Sequence, residues 1–249
     1  MRALGIVLAG GNSRKMGELS RKRAISAMPI AGSYRSIDFV LSNMSNSHIQ
    51  KVAVITQYNS RSLHEHLSSS KWWDFGRKQG GMFLFTPTVT AENSDWYRGT
   101  ADAMYQNIDF LKRRHEPYVI ISSGDCVYKM DYNKVLDYHI AKKADITVVC
   151  KDMPADANIN RFGVVRMNED SRIVEFEEKP IIAQSNTIST GVYVIRRRQL
   201  IEILEKSAEE NRFDFVADVL IRYKNIKRIY GYKMKEYWSN IASVDDYYR

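Results

Sequence analysis

Apolar residues in the first half of the chain form short, nearly continuous runs that alternate with segments of helical periodicity. Residues 3–8 and 51–56 are typical of buried strands, whereas residues 100–114 place their apolar side chains on one helix face. The same alternation predicts strands at residues 118–122 and 146–150, and helices at residues 36–46, 61–67 and 133–142. Buried strands separated by helices are typical of a parallel sheet that is covered on both faces.

Strand-like segments follow one another more closely after Pro154, which predicts antiparallel or mixed members of the sheet. The predicted strands there are residues 162–167, 172–177, 187–195 and 228–233, and the predicted helices are residues 198–206 and 215–223. No linker composition and no internal repeat marks a boundary. We therefore expect one α/β domain over residues 1–249, with a Rossmann-like mixed, mostly parallel sheet and helices on both faces.

Composition narrows the class of protein. Of the 249 residues, 44% are hydrophobic and 27% are charged, which is ordinary for a globular domain. No apolar run approaches the roughly 20 residues of a membrane helix, and the N-terminus has no signal-peptide layout. Cys126 and Cys150 show neither metal-ligand nor disulfide spacing, so we expect a reduced, cytoplasmic protein without a membrane segment.

A formal net charge of +8 has three interpretations: a nucleic-acid ligand, small polyanions such as nucleotides and sugar phosphates, or a solvated basic surface. The Lys and Arg residues are scattered, and the aromatic residues around Trp72 and Phe83 form no nucleic-acid-binding motif. Small polyanions are therefore favoured over nucleic acid. A solvated surface accounts for part of the charge in either case.

Three segments lie where a parallel sheet binds ligands, beyond the carboxyl ends of its strands: residues 10–23, 57–58 and 124–125. Gly10 and Gly11 allow backbone N–H groups to approach an anion, although a tight turn explains two glycines equally well. The phosphate interpretation gains support from five cations that follow against one acid, namely Arg14, Lys15, Arg21, Lys22 and Arg23.

Other candidates are single residues at strand and helix ends. Asp125 follows an apolar strand and fits a Mg²⁺ ligand, or equally a turn or cap aspartate. Thr100 is a predicted N-cap, and its helix could either present N–H groups to a phosphate or hydroxyl, or simply be capped. Lys179, within Glu178-Lys179-Pro180, is a candidate phosphate-binding cation, although an exposed strand end explains the triplet as well.

Together these segments resemble the sugar-nucleotide pyrophosphorylases, and specifically the ADP-glucose pyrophosphorylase (glucose-1-phosphate adenylyltransferase) family. The likeness runs in order from about residue 3 to residue 249, and residues 96–103 (WYRGTADA) are its most specific block. The other blocks are residues 35–43, 55–58, 124–125 with 128–132, 162–164 and 178–180. The resemblance implies a nucleotide-diphospho-sugar transferase fold that joins ATP and glucose 1-phosphate into ADP-glucose, with release of pyrophosphate, for glycogen or starch synthesis.

The resemblance also assigns roles to residues of this chain. It implies a sugar-phosphate side formed by Tyr97, Gly163, Glu178, Lys179 and Ser189. It implies a nucleotide side formed by Gly10, Gly11 and Gln57, with Asp125 as a Mg²⁺ ligand.

Departures from the family pattern fall on the ATP side. The family's Gly-x-Gly-[Ser/Thr]-Arg-Leu becomes GNSRKM, in which Ser13 replaces a glycine and Lys15 replaces the arginine that grips the leaving phosphates. The family's Arg-Ala-Lys-Pro becomes RAIS at residues 23–26, without the lysine. In the family's Trp-x-Asp-Val-Gly, the aspartate that pairs with the position of Asp125 becomes Asn240.

Each change has a physical cost. A non-glycine residue at positive φ is strained by about 1 kcal/mol or more. Lysine lacks the bidentate fork of arginine, and asparagine lacks the charge of aspartate. Because phosphoryl transfer depends on positioning and charge stabilisation, the changes predict a weakened ATP site. Arg14 could take the role of Lys15 if the loop shifts by one residue.

This combination resembles the GlgD-type regulatory subunits. It implies a catalytically weak member of a hetero-oligomer that binds glucose 1-phosphate, or a related sugar phosphate, better than ATP or ADP-glucose. An independently active nucleotidyltransferase that uses Arg14 and Asp125 with one metal ion stays open, as does a nucleic-acid-binding module. The family's C-terminal left-handed β-helix is not visible, and both a shortened chain and a naturally short member remain possible.

Overall fold

The computed structural model describes residues 2–9, 25–30, 34–56, 60–69, 81–87, 97–241 and 248. Its strands are β1 Ala3–Leu8, β2 Pro29–Ile30, β3 Tyr34–Arg35, β4 Lys51–Ile55, β5 Gly81–Phe85, β6 Tyr118–Ser123, β7 Cys126–Tyr128, β8 Ile146–Asp152, β9 Gly163–Met167, β10 Ile173–Glu178, β11 Thr187–Arg196, β12 Ile229–Lys233 and β13 Trp238–Asn240. Its helices are α1 Ser36–Asn46, α2 Ser60–Ser69, α3 Thr100–Gln106, α4 Ile108–Lys112, α5 Tyr132–Ala141 and α6 Arg197–Glu209, with a 3₁₀ turn at Ile25–Ala27 and a π-helical segment at Val216–Ile221.

Contacts within the chain divide it into two compact units, each built from discontinuous segments. Unit 1 comprises Met1–Tyr97, Ile121–Tyr132 and Glu236–Arg249. Unit 2 comprises Arg98–Ile120 and Asn133–Lys235.

In unit 1 the neighbouring strands β1, β4 and β5 are parallel, with Leu8 facing Ile55 and Ile55 facing Phe85. The central residues of β1 and β4 are almost completely buried, whereas β5 is half-buried. Helix α1 begins with a capping box, in which the backbone N–H of Arg35 donates to the carboxylate of Asp38 at 2.8 Å. This layer of parallel strands and helices agrees with the alternation read from the first half of the sequence.

In unit 2 the sheet is mixed. Strand β9 pairs antiparallel with β10 and β11, and β8 pairs antiparallel with β11 and parallel with β12. The alternation of parallel and antiparallel pairs follows from the closely spaced strands after Pro154, since short connections favour antiparallel neighbours. The predicted class, α/β with a mixed, mostly parallel sheet and helices, is confirmed.

One predicted helix and one predicted cap were wrong. The helix expected over residues 100–114 is broken at Asn107, whose side-chain amide donates to the carbonyl of Ala103 at 2.8 Å. Such side chains compete with the backbone for hydrogen bonds, which explains the break. The N-cap is Gly99 rather than Thr100, because the Thr100 hydroxyl accepts a hydrogen bond from the backbone of Phe215 instead.

Within the described ranges, no helix is both long enough and apolar enough to cross a lipid bilayer.

Candidate functional site

The carboxyl ends of several strands of unit 1 meet at one edge. The carbonyl of Leu8, at the end of β1, accepts a hydrogen bond of 3.0 Å from Gly124, which follows β6. The N–H of Ala9 donates to Ile55, at the end of β4, at 2.8 Å. The expected nucleotide side continues from these ends, but its residues lie outside the described part of the chain: Gly10, Gly11, Arg14, Lys15 and Gln57.

Asp125, the predicted metal ligand, lies at this edge and is held in place by neighbours in unit 1. Its carbonyl accepts from the N–H of Ile241 at 2.9 Å, and its own N–H donates to the hydroxyl of Ser123 at 3.3 Å. Its Oδ1 accepts a hydrogen bond of 2.7 Å from the hydroxyl of Ser26. Backbone and side chain are therefore both fixed.

Burial raises the pKa of Asp125 to about 6, and the hydrogen bond from Ser26 opposes this rise. Burial makes the charged form of a carboxylate unfavourable, so a nearby cation stabilises a buried carboxylate more than an exposed one. Mg²⁺ takes one or two carboxylates together with waters and substrate phosphates. A single Mg²⁺ therefore fits at Asp125 when phosphate groups supply further oxygens, although the described residues contain no cluster of three His, Cys, Asp or Glu that could hold a metal alone.

Asn240, the predicted partner of Asp125, lies in β13 opposite Cys126 of β7. Its side-chain amide donates to the Cys126 sulfur at 3.6 Å. Burial raises the pKa of the Cys126 thiol to about 12, so the group stays neutral at physiological pH. The neutral amide is thus engaged with a neutral thiol, and position 240 brings no second anion toward Asp125.

The turn that carries Ser26 packs into the same region of unit 1. Ile25, Met28 and Ile241 form a buried cluster, with Val127 packed against it. Ile25 stands where the family pattern has lysine, and its side chain is only 3% exposed. The position of the family's lysine is thus a core residue in this chain, and it anchors the turn.

In unit 2 three of the predicted sugar-phosphate residues form a row across neighbouring strands. Gly163 opens β9 and faces Glu178, the last residue of β10. On the other side, Val164 of β9 faces Ile188 of β11, so the next position along brings Ser189 beside Gly163. Opposed residues of an antiparallel pair point to one face, and the row therefore shares a face of the sheet.

Gly163 is required by close packing. A Cβ at this position would lie 2.8 Å from the ring of Phe176 and 3.4 Å from Oε2 of Glu178. Only glycine lets the ring and the carboxylate approach the backbone together.

Two opposite charges lie together at the end of β10. Partial burial raises the pKa of Glu178, the Lys179 cation opposes the rise, and Asp214 adds to it. Lys179 adopts a left-handed backbone conformation with φ 48°, stabilised by a hydrogen bond of 3.1 Å from its N–H to the carbonyl of Phe162. The strand therefore ends in a tight turn that carries an acceptor and a cation at successive positions.

The hydroxyl of Ser189 is buried and has no well-formed hydrogen bond to any described residue. The phenol of Tyr193 lies close enough to interact with it, and burial raises the pKa of Tyr193. A buried hydroxyl without a strong partner is costly unless a ligand completes its hydrogen bonds. Ser189 thus fits a ligand-binding role.

Tyr97 and the start of α3 belong to different units. Tyr97 is the last residue of the first segment of unit 1 and is 6% exposed. In unit 2 the N–H groups of Ala101 and Asp102 donate to the carbonyl of Phe213 at 2.9 and 3.2 Å. The helix start is therefore capped by protein, which favours the plain capped helix over the phosphate-binding or hydroxyl-binding alternative.

Sequence reasoning missed Ser26 and Cys126 as neighbours of the predicted metal ligand, and Tyr193 as a neighbour of Ser189. Ser26 was visible only as a departure from the family pattern. Its contact with Asp125 spans 99 positions, and no local pattern indicates such a pairing.

Comparison with known proteins identifies the chain's family. Residues 4–249 match the model of the nucleotidyl transferase family. Three curated relatives named glucose-1-phosphate adenylyltransferase are those of Thermosipho melanesiensis (40% identical over 98% of this chain and 60% of the relative), Bacillus cytotoxicus (41%, over 97% and 65%) and Lachnospira eligens (40%, over 98% and 58%). The chain thus spans between 58% and 65% of the length of these relatives. This chain belongs to the nucleotidyl transferase family.

Proposed function

We propose that this chain is a regulatory, catalytically weak subunit of glucose-1-phosphate adenylyltransferase, the enzyme that converts ATP and glucose 1-phosphate into ADP-glucose and pyrophosphate in glycogen synthesis. It acts with a catalytic subunit of the same family. It binds glucose 1-phosphate or a related sugar phosphate more tightly than ATP or ADP-glucose. The names of its relatives support the reaction, and the contrast between two groups of residues supports the regulatory role.

The observation that carries the proposal is this contrast. In unit 2 the row of Glu178, Gly163 and Ser189 places a carboxylate acceptor and a buried hydroxyl on one face, and Gly163 lets the carboxylate approach the backbone. In unit 1 the predicted metal position holds Asp125, and its predicted partner Asn240 is hydrogen-bonded to a thiol. We therefore expect the first group to bind a sugar phosphate better than the second group binds a magnesium triphosphate.

Each residue of the sugar side has a distinct role. Glu178 accepts hydrogen bonds from ring hydroxyls of the sugar, and the Ser189 hydroxyl donates or accepts one more. Lys179 attracts the phosphate as a mobile point charge. Gly163 has no side chain, and this lets the Phe176 ring and the Glu178 carboxylate lie close to the strand.

On the ATP side, a bound Mg²⁺ would offset the charge of the triphosphate. Asp125 would hold the cation through one carboxylate, and Asn240 would add no charge. Losing one preorganised charge-stabilising group commonly costs about 10² to 10³ in rate. Together with the changes at Ser13 and Lys15, this predicts slow turnover by the chain alone.

Mixing experiments test the regulatory role. Full-length protein is titrated into its catalytic partner, and ADP-glucose formation is measured against the concentration of phosphorylated effectors. We expect the mixture to differ from the sum of the separate subunits in maximal rate or in effector response, because two sites that are coupled change each other's affinity. Rates that merely add, at every effector concentration, would contradict the proposal.

A second candidate is an independently active sugar-phosphate nucleotidyltransferase. It is favoured by the hydrogen bonds that hold Asp125 in place, where it fits one Mg²⁺, and by the presence of Arg14 in the sequence. Pyrophosphate release by the purified chain, at a rate close to that of a catalytic relative, would establish this alternative.

We further propose a cytoplasmic location with no nucleic-acid or membrane ligand. Cys126 and Cys150 are both free and buried, which suits a reducing compartment. A filter-binding assay with DNA and RNA checks the first expectation, and cell fractionation checks the location.

A further inference from the structure

The predicted metal ligand Asp125 has one oxygen that is committed to the protein and one that is not. Oδ1 accepts the hydroxyl of Ser26 at 2.7 Å. Its backbone N–H and carbonyl are bound to Ser123 and Ile241. Among the described residues, none donates to Oδ2, so this oxygen is the position from which Asp125 can bind a ligand.

Ser26 is fixed as firmly as the carboxylate it touches. Its exposed fraction is 0%, and the flanking residue Ile25 anchors its turn in the buried cluster with Ile241. A Cβ on Gly124 would lie 2.9 Å from the Ser26 hydroxyl oxygen and 3.4 Å from Ala9. The missing side chain of Gly124 therefore leaves room for the Ser26 hydroxyl, which donates to Oδ1 of Asp125.

The hydrogen bond acts on the chemistry of the carboxyl group as well as on its direction. A donor to a carboxylate favours the charged form, which is the form that binds a cation. Partners that orient a metal-binding side chain are known to control affinity through this combined effect. Because Ser26 is completely inaccessible, it cannot contact the cation itself, and its influence must pass through Asp125.

We propose that Ser26 is a positioning residue for a single divalent cation at Asp125. Its hydroxyl occupies Oδ1 and turns Oδ2 toward the cation, at a site where Asn240 supplies no second carboxylate. The inference rests on the proposed role of Asp125 as metal ligand. It is independent of whether the chain regulates a partner, because the cation site belongs to this chain alone.

Binding of Mn²⁺ to the full chain, with ADP-glucose present to supply the phosphate oxygens, tests the proposal without a reaction. The free ion is measured by electron paramagnetic resonance during titration at pH 7.5, and the Asp125→Asn variant defines binding elsewhere. We expect Ser26→Ala to weaken the Asp125-dependent site about tenfold. The matched control is Ser36→Ala, since Ser36 is also 0% exposed and its hydroxyl has no partner among the described residues; it should leave affinity unchanged.

The pH profile separates positioning from a general loss of structure. In Ser26→Ala the midpoint at which Mn²⁺ affinity falls with acidification should move to higher pH, because the carboxylate has lost its donor. A merely structural defect lowers affinity at every pH and leaves the midpoint in place, which would count against the proposal. If the alanine variant does not fold, Ser26→Cys decides, because a thiol donates weakly and should give an intermediate affinity.

Three results overturn the proposal. They are unchanged or tighter Mn²⁺ binding in the Ser26 variants, an unmoved pH midpoint, and wild-type binding that survives in Asp125→Asn. None of these bears on the mixing experiment with a catalytic partner, so the two proposals fail separately.

Discussion

Burial shifts two titratable side chains, Asp125 and His139, in opposite directions over the same range of pH. It raises the pKa of Asp125 to about 6. It lowers the pKa of His139 to about 4, with repulsion from Arg196 acting in the same direction and Asp145 opposing it. The pH dependence of stability of the whole chain therefore mixes both effects, and single variants are needed to separate them.

Replacing Asp125 with asparagine should stabilise the metal-free chain more at pH 7.5 than at pH 5. The folded pKa lies above the unfolded one, so the contribution of Asp125 to stability is full below pH 4 and is lost as pH rises through 6. We expect the gain of Asp125→Asn over wild type to grow by about 1 kcal/mol between pH 5 and 7.5. Urea unfolding in the presence of EDTA measures it, and a gain that is independent of pH would refute the assigned burial.

Replacing His139 with asparagine should flatten the loss of stability in acid. His139 is 2% exposed, and its Nδ1 lies 2.7 Å from the hydroxyl of Thr147. Its folded pKa is depressed, so its contribution is present above pH 6.5 and is lost as pH falls toward 4. Wild type should lose about 2 kcal/mol more than His139→Asn between pH 7.5 and 5.

The cost of the cavity and of the lost ring is common to both pH values in that comparison. The diagnostic quantity is the change in the free energy of unfolding between pH 7.5 and pH 5. Denaturant unfolding at the two pH values measures it. If the free energy of unfolding changes equally between pH 7.5 and pH 5 in wild type and in His139→Asn, then His139 is not buried in its neutral form.

Single residues also mark what local sequence can and cannot indicate. Asp125 was predictable because a carboxylate follows an apolar strand, and the structure places it at the expected edge. Its hydrogen bond to Ser26 was not predictable, since the two residues meet only through packing of distant segments. The pairing of Asn240 with Cys126 has the same origin, because two three-residue strands bring them together.

At the scale of elements, the row across β10, β9 and β11 depends on the absence of a side chain at one strand end. Gly163→Ala would place a methyl group 2.8 Å from the ring of Phe176 and push the ring or the Glu178 carboxylate aside. Overpacking of this kind commonly costs about 1 to 3 kcal/mol. We expect a lower melting temperature and weaker binding of glucose 1-phosphate.

A double variant supplies the control for this change. Phe176→Leu in the Gly163→Ala background makes room for the methyl group, so part of the lost stability should return relative to the two single variants. Thermal unfolding monitored by circular dichroism measures the coupling. Strictly additive effects would show that the ring and position 163 do not compete for space.

Long, periodic elements were predictable to within one or two residues at most ends, as for β1 and α1. Short strands such as β7 and β13 were not, because three residues carry no periodicity and each is stabilised by its distant partner. The break of the predicted helix at Asn107 shows tertiary and side-chain hydrogen bonds overriding an apolar pattern. Strand β5 was missed because its residues are only half-buried and give no clear alternation.

At the scale of the whole molecule, the α/β class and family followed from the order of strands, helices and motifs. The division into two units did not, since each unit is assembled from discontinuous segments and no linker composition marks their limits. The proposed function also involves several parts of the chain, because the weak catalysis results from several changes on the ATP side taken together.

Restoring the family residues should therefore restore part of the activity. We expect Ser13→Gly, Lys15→Arg and Asn240→Asp together to raise turnover, as each returns a loop conformation, a bidentate cation or a charge that phosphoryl transfer uses. In Asn240→Asp the Cys126 thiol can donate a weak hydrogen bond to the new carboxylate. ADP-glucose formation by the chain alone is the measurement, with Asn240→Asp alone as control; no gain in the triple variant would place the defect elsewhere.

The central claim is that the sugar-phosphate side is competent and the magnesium-triphosphate side is not. Isothermal titration calorimetry of glucose 1-phosphate and of Mg-ATP into the same purified chain tests this claim most directly. We predict a lower dissociation constant for glucose 1-phosphate than for Mg-ATP. Tight binding of Mg-ATP together with weak binding of glucose 1-phosphate would contradict it.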